Sequence, residues 1–192
     1  MRCGVKTILR DAAGVTIIDA NGESARYDGV IIASHADQAL AMLDDASAEE
    51  RNLLGSIRYR PNKAVLHCDP LLMPKRRMTW ASWNYLGHTD DKLNDDLCVT
   101  YWMNKLQNID HRAPLFVTLN PRREPRGVLH EVTFQHPQLD RVALAAQAAV
   151  PRLPGPVQFA GAHLGFGFHE DGMRAGEEAA ARIEALRLEA VA

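Results

Sequence analysis

The sequence predicts an α+β or α/β protein in which two differently built parts are interleaved. Three observations carry that expectation. The first 35 residues hold short strand-like runs with turn signals between them. The middle is rich in β-forming segments separated by Pro, Asn, Asp and Gly. The chain then returns to a strand, a glycine-rich loop and a long helix-forming tail. On this basis residues 1–35 and 153–192 are expected to build one domain, with residues 36–152 forming another, mostly antiparallel sheet with helices.

The elements follow in order. Val5 to Arg10 and Val15 to Asp19 read as strands joined through Gly14, and "ANG" at 20–22 turns the chain into a third strand, Glu23 to Tyr27. "DGVIIAS" is a continuous apolar run of the kind expected for a strand covered on both faces. Asp37 to Leu43 has helical spacing. Ser47 and Glu50 form a capping box for a helix over Ala48 to Leu54 that Gly55 should end. "KAVLHCD", "MTWASWNY", "LCVTYWMN", "PLFVTLN" and "VLHEVTFQ" are the middle strands, and Leu139 to Ala149 is a helix. Val157 to Ala160 is a short strand and 161–171 a loop. From Gly172 to about Leu188 a helix is expected, with Ala175, Ala179, Ile183 and Leu186 on one face and Asp171 as its N-cap.

Composition narrows the function classes. A net charge of −2 gives no electrostatic case for nucleic acid or an anionic membrane, and Lys75-Arg76-Arg77 and Arg122-Arg123 read as solvated loops. Cys3, Cys68 and Cys98 are odd in number and widely spaced, which fits a reducing cytoplasm better than a disulfide framework. No apolar run approaches the ~20 residues of a membrane span. No G-x-S-x-G, Walker-type or G-x-G-x-x-G motif occurs.

The chemistry concentrates in "GAHLGFGFHEDGMRAG", residues 161–176. A strand, a glycine-rich loop and a helix N-terminus together present outward N–H groups and partial positive charge. The donors are expected around Gly172, Met173 and Arg174, with Gly161, Gly165 and Gly167 letting a ligand lie against the backbone. The competing reading is a tight loop whose glycines serve turns alone. His163, His169, Glu170 and Asp171 match no compact metal-ligand spacing, so no metal is expected and His169 is read as shaping a pocket.

The stretch "FAGAHLGFGFHEDGMRAGEEAA" (159–180) resembles the C-terminal FAD-binding segment of the flavin-containing amine oxidase superfamily, which also includes desaturases and protoporphyrinogen oxidases. It is similar to bacterial NAD/FAD-binding proteins of that group. "YDGVIIASHADQAL", "IRYRPNKAVLHCDPLLMP", "WASWNY", "CVTYWMNKLQ" and "FVTLNP" extend the resemblance along nearly the whole chain. The family begins with a strand-G-x-G-x-x-G-helix that this sequence lacks. The resemblance therefore implies a C-terminal portion, with part of an FAD-binding domain, a substrate domain and a missing N-terminal dinucleotide-binding half as partner.

The resemblance also implies roles. Gly161 and Ala162 would lie along the ribityl and pyrophosphate of FAD, and Gly172 and Met173 would aim N–H donors at the flavin pyrimidine oxygen. Val5 would abut the adenine through its backbone, and Ala33 and Ser34 would pass near the adenosine or pyrophosphate. Lys63 would be a water-linked lysine near the flavin, or else a solvated strand-edge lysine. Trp80, Trp83, Tyr85, Tyr101 and Trp102 would wall a substrate pocket, or else pack the sheet. The paired-aromatic cage of true amine oxidases has no counterpart in the C-terminal loop, where Phe166 and Phe168 stand instead, which speaks against an amine substrate. The implied activity is FAD-dependent hydride abstraction from a small or lipid-like substrate, inactive in this chain alone. The alternative is a non-catalytic binding module. Apolar surface left by the missing half would favour homo-oligomers.

Overall fold

A computed structural model describes residues 3–11, 14–86 and 98–189. They form two compact units, one made of Met1–Tyr59 and Pro137–Ala192, the other of Arg60–His136. One unit is thus built from both ends of the chain and the other from its middle, divided at 59/60 and 136/137 rather than at 35/36 and 152/153. The helices on either side of the middle belong with the outer pieces, because their apolar residues are buried in one cluster with Ile8, Val15, Ile32 and Phe159.

The first unit opens with β1 (Val5–Asp11), β2 (Gly14–Asp19) and β3 (Ser24–Tyr27), an antiparallel meander. Gly14 has φ +139° and sits so close to the Tyr27 carbonyl that a Cβ would lie 2.5 Å from its oxygen, which fixes glycine at this corner. β4 (Val30–Ile32) follows, then α1 (Ala36–Met42) and α2 (Ala48–Ser56). The Ser47/Glu50 capping box forms as read from sequence, but α2 continues through Gly55 to Ser56 instead of stopping there. Glu50 is buried and does a second job. Burial alone would raise its pKa, yet hydrogen bonds from Arg10 and Ser47 outweigh that and hold it below the usual carboxylate range. Arg10 also pairs with Asp45, so β1 is tied to the start of α2.

The second unit is a five-stranded sheet in the order β6-β7-β8-β5-β9, from β5 (Tyr59–His67), β6 (Trp83–Tyr85), β7 (Val99–Trp102), β8 (Phe116–Leu119) and β9 (Val128–Pro137). β6, β7, β8 and β5 pair antiparallel in turn. Two segments expected as strands are partly helical. Arg77–Thr79 is a 3-10 turn, and the chain after Trp102 forms α3 (Met103–Leu106). Asn104 explains the latter, because its buried amide accepts from Leu115 N–H and donates to the Asp110 and Ala113 carbonyls, stapling a loop in place of a longer strand.

The chain returns to the first unit with α4 (Arg141–Ala149), capped by Asp140, then β10 (Val157–Phe159) and α5 (His169–Glu189). β10 pairs with β4 in parallel, Val157 opposite Val30 and Phe159 opposite Ile32. Val157, Phe159 and Ile32 face the core cluster, while Gln158 faces α5 and accepts from Arg182. β10 is covered on both faces. β4 is not fully so, contrary to the expectation for "VII", since Ile31 remains 38% exposed.

Candidate functional site

The carboxyl ends of parallel strands are where open α/β sheets bind ligands. In the first unit, β4 and β10 end side by side, and the Ala160 N–H donates to the Ile32 carbonyl at 3.1 Å. The next residues on each strand are Ala33 and Ser34 on one side, and Gly161 and Ala162 on the other. The structure thus brings together Ser34, Gly161, Ala162 and the start of α5. Val5 lies elsewhere, at the exposed outer end of the meander opposite Asp19.

The loop after β10 is held from within. Asp171 is buried, and its Oδ2 accepts from the backbone N–H groups of Phe166 (3.0 Å) and Phe168 (3.1 Å) while Oδ1 accepts from Arg174. These bonds, the Phe168 N–H first, hold its carboxyl below the ordinary range. They also draw the chain into helix a turn earlier than the sequence suggested. α5 begins at His169, so Asp171 is not the N-cap. The Gly172 N–H is spent on the Phe168 carbonyl at 3.2 Å. The outward donors of the first turn are therefore those of His169 and Glu170 rather than Gly172 and Met173.

The glycines divide by cause. At Gly165 a Cβ would lie 2.5 Å from the Asp171 carboxylate, so loop closure alone demands glycine. At Gly161, with φ +149°, a Cβ would lie 2.6 Å from the His163 Nδ1. Gly172 is different. A Cβ there would first meet the Ala162 N at 3.5 Å, an ordinary contact, so Gly172 and Ala162 face each other with only small groups between. Beside them Phe166, Phe168 and Met173 are 74%, 65% and 59% exposed. The result is a close-packed floor of small residues, Gly161, Ala162 and Gly172, with Phe166, Phe168 and Met173 exposed in the same loop and helix start.

His163 went unread as anything more than a loop or pocket histidine. It is buried with Nε2 unpartnered, and burial first, then the nearby His35, push its pKa down to about 4. It stands there as a neutral ring packed against Gly161. Among the described residues no group of three or more His, Cys, Asp and Glu side chains is placed to hold a metal ion. His169 is exposed in the first turn of α5.

In the second unit Lys63 lies on β5 with Nζ 3.0 Å from Glu131 and 3.2 Å from Glu124, and these carboxylates, Glu131 first, raise its pKa. It is a paired cation, unsuited to act as a base near neutrality. The aromatics fall on two faces. Trp80 donates to the Pro74 carbonyl and packs edge-on against Trp102 and Phe116, as interior packing. Trp83, 63% exposed, and its cross-strand neighbour Tyr101 lie on the opposite face, where a ligand can reach them.

Sequence reading missed the polar thread through the buried face of this sheet. The Asp69 N–H donates to His67 Nδ1, which leaves the imidazole proton on Nε2. Nε2 donates to Thr118 Oγ1 at 2.8 Å, Thr118 to Thr100 Oγ1 at 2.9 Å, and Thr100 to the Leu72 carbonyl. β5, β8 and β7 each supply one group, so a slip of register in any of them would strand a buried polar atom. The only sequence signal was a polar residue at an inward position of each strand.

No family model matches the sequence, and no curated protein matches it. Solved structures do. A fatty acid isomerase from P. acnes that produces CLA superposes with a TM-score of 0.64 at 14% identity, over 94% of this chain and 47% of its own. Cyclohexylamine oxidase from Brevibacterium oxydans gives 0.64 at 18%, over 96% and 48%. Putrescine oxidase in complex with putrescine gives 0.60 at 13%, over 95% and 48%. The chain spans about half the length of each of these structures, and across that half it shares their mixed α/β fold with antiparallel sheets.

Proposed function

We propose that the chain is part of an FAD-dependent oxidoreductase and supplies one side of its flavin site along the floor of Gly161, Ala162 and Gly172. The observation that supports this most is that floor at the carboxyl ends of β4 and β10, in a chain sharing the fold of two proteins named as amine oxidases. The small residues fit a cofactor that must approach the backbone closely. FAD, when bound, supplies a hydride acceptor. The chain's own residues would orient it: the small side chains of Gly161, Ala162 and Gly172 would let it approach the backbone, the first-turn N–H groups of α5 would offer donors, and Phe166, Phe168 and Met173 would shield it from water. A dinucleotide-binding half, expected from the resemblance, would supply the rest of the cofactor site.

The test is an FAD titration followed by flavin fluorescence, on the chain alone and on the chain co-expressed with such a half. Weak or no retention alone, with retention restored by the second half and lost again in Gly172→Val, supports the shared site. Stoichiometric FAD on the chain alone overturns the sharing. No FAD in either sample overturns the flavin role and leaves a non-catalytic binding module.

A further inference from the structure

The near-neutral net charge averages away a local concentration of cations on the second unit. Lys75, Arg76 and Arg77 are exposed, and no acidic residue occurs between Pro70 and Leu86. Arg122, Arg123 and Arg126 are exposed on the loop before β9, with Glu124 the one acid among them, and Glu124 is paired with Lys63. One buried carboxylate pins the two loops together. Asp69 accepts from the Leu71 N–H at 2.9 Å on one loop, and from the Arg126 N–H at 3.0 Å and the Arg123 guanidinium at 2.8 Å on the other. Its carboxyl is held below the usual range, so the clasp is charged at neutral pH. Burial acts against that shift, and the Arg126, Leu71 and Arg123 bonds outweigh it.

The same rim carries two large apolar side chains turned to solvent. Leu71 is 65% exposed and Met78 90%, the highest value of any large hydrophobic residue among those described. Lys75, Arg76, Arg122 and Arg126 make no ion pair among the described residues. Free phosphate or a nucleic acid backbone would use the cations and gain nothing from Leu71 and Met78. A bilayer interface uses both, taking apolar tips into the acyl boundary while cations meet anionic headgroups.

We propose that this rim, the loop from Leu71 to Met78 with Arg122, Arg123 and Arg126, docks the protein on an anionic lipid surface. Lys75, Arg76 and Arg122 supply the electrostatic attraction, and Leu71 and Met78 insert.

The probe is co-sedimentation of the full chain with phosphatidylcholine vesicles containing phosphatidylserine, against vesicles of phosphatidylcholine alone. Binding to the anionic vesicles is expected, weakened by salt and much weaker on the neutral ones. Each surface cation contributes about fivefold in partitioning. Lys75→Gln/Arg76→Gln is therefore expected to lose on the order of 25-fold. Met78→Asp should lose severalfold with its cations intact, and Arg112→Gln, in another loop of the same unit, should lose nothing. Near-UV circular dichroism of each variant checks that the second unit stays folded. Three outcomes overturn the proposal: no vesicle binding, equal binding to neutral vesicles, or full binding by folded Lys75→Gln/Arg76→Gln. Binding to a single-stranded oligonucleotide without vesicle binding also overturns it, and assigns the cations to nucleic acid.

Discussion

Lowering the pH from 7 to 5 should destabilise the first unit through His163. The imidazole is buried, and its pKa falls from an ordinary 6.5 to about 4, chiefly through burial. In the unfolded chain it titrates normally. Between those two values the unfolded state holds more protons than the folded one, so stability rises with pH across that window. The contribution is complete above about 6.5 and is lost as pH falls toward about 4, below which both states are protonated. The interval corresponds to roughly 3 kcal/mol, approached with a slope of about 1.4 kcal/mol per pH unit. His163→Leu removes both the titration and the unpartnered Nε2. Urea unfolding of wild type and variant, followed by far-UV circular dichroism at pH 5 and pH 7, isolates the effect. His67 shifts in the same direction but is present in both proteins and cancels. The variant should gain on wild type by about 2 kcal/mol on going from pH 7 to pH 5. A constant difference across that range, or an NMR titration that places His163 near 6.5, would refute the reasoning.

Other expectations follow from single contacts. Gly165→Ala drives a methyl into the Asp171 carboxylate and should cost about 1–3 kcal/mol in urea unfolding, whereas Gly172→Ala, with 3.5 Å to its nearest neighbour, should unfold like wild type. Arg10→Ala leaves the buried Glu50 carboxylate without its main partner and should cost about 3–5 kcal/mol, most of it recovered in the double variant with Glu50→Gln. Exposed Phe166, Phe168 and Met173 favour self-association of the chain alone. Sedimentation velocity should show a mass that rises with concentration, and a strictly monomeric profile would count against it.

Periodicity and turn chemistry made most elements legible. The meander is marked by Gly14 and "ANG", α2 by its capping box, and the parallel pair by two short apolar runs. Domain boundaries were not legible, because α1, α2 and α4 are amphipathic in the same way whichever core they cover. At the candidate site the glycines were visible but not their separate causes. Gly165 answers to a carboxylate six residues on, and Gly161 to the side chain of His163. The start of α5 was misplaced for a related reason. An Asp ahead of a helix-forming run reads as an N-cap, while here it folds back on the loop from inside the first turn. The His67 to Thr100 thread was hidden because a single polar residue in a strand looks the same whether it meets water or two others.

The chain passes from the first unit into the second after Tyr59 and returns at Pro137, and the two crossings touch, the Gln138 N–H donating to the Arg58 carbonyl at 2.7 Å. This has a consequence in time. As the chain leaves the ribosome, β4 emerges early and its partner β10 late, with every strand of the second unit made in between. Residues 60–136 can close their sheet while the earlier half of the first unit still waits, its Val157 and Phe159 positions unfilled. The touching crossings shorten that wait, because a finished second unit delivers Gln138 to Arg58 and starts the returning chain beside the core it has to complete.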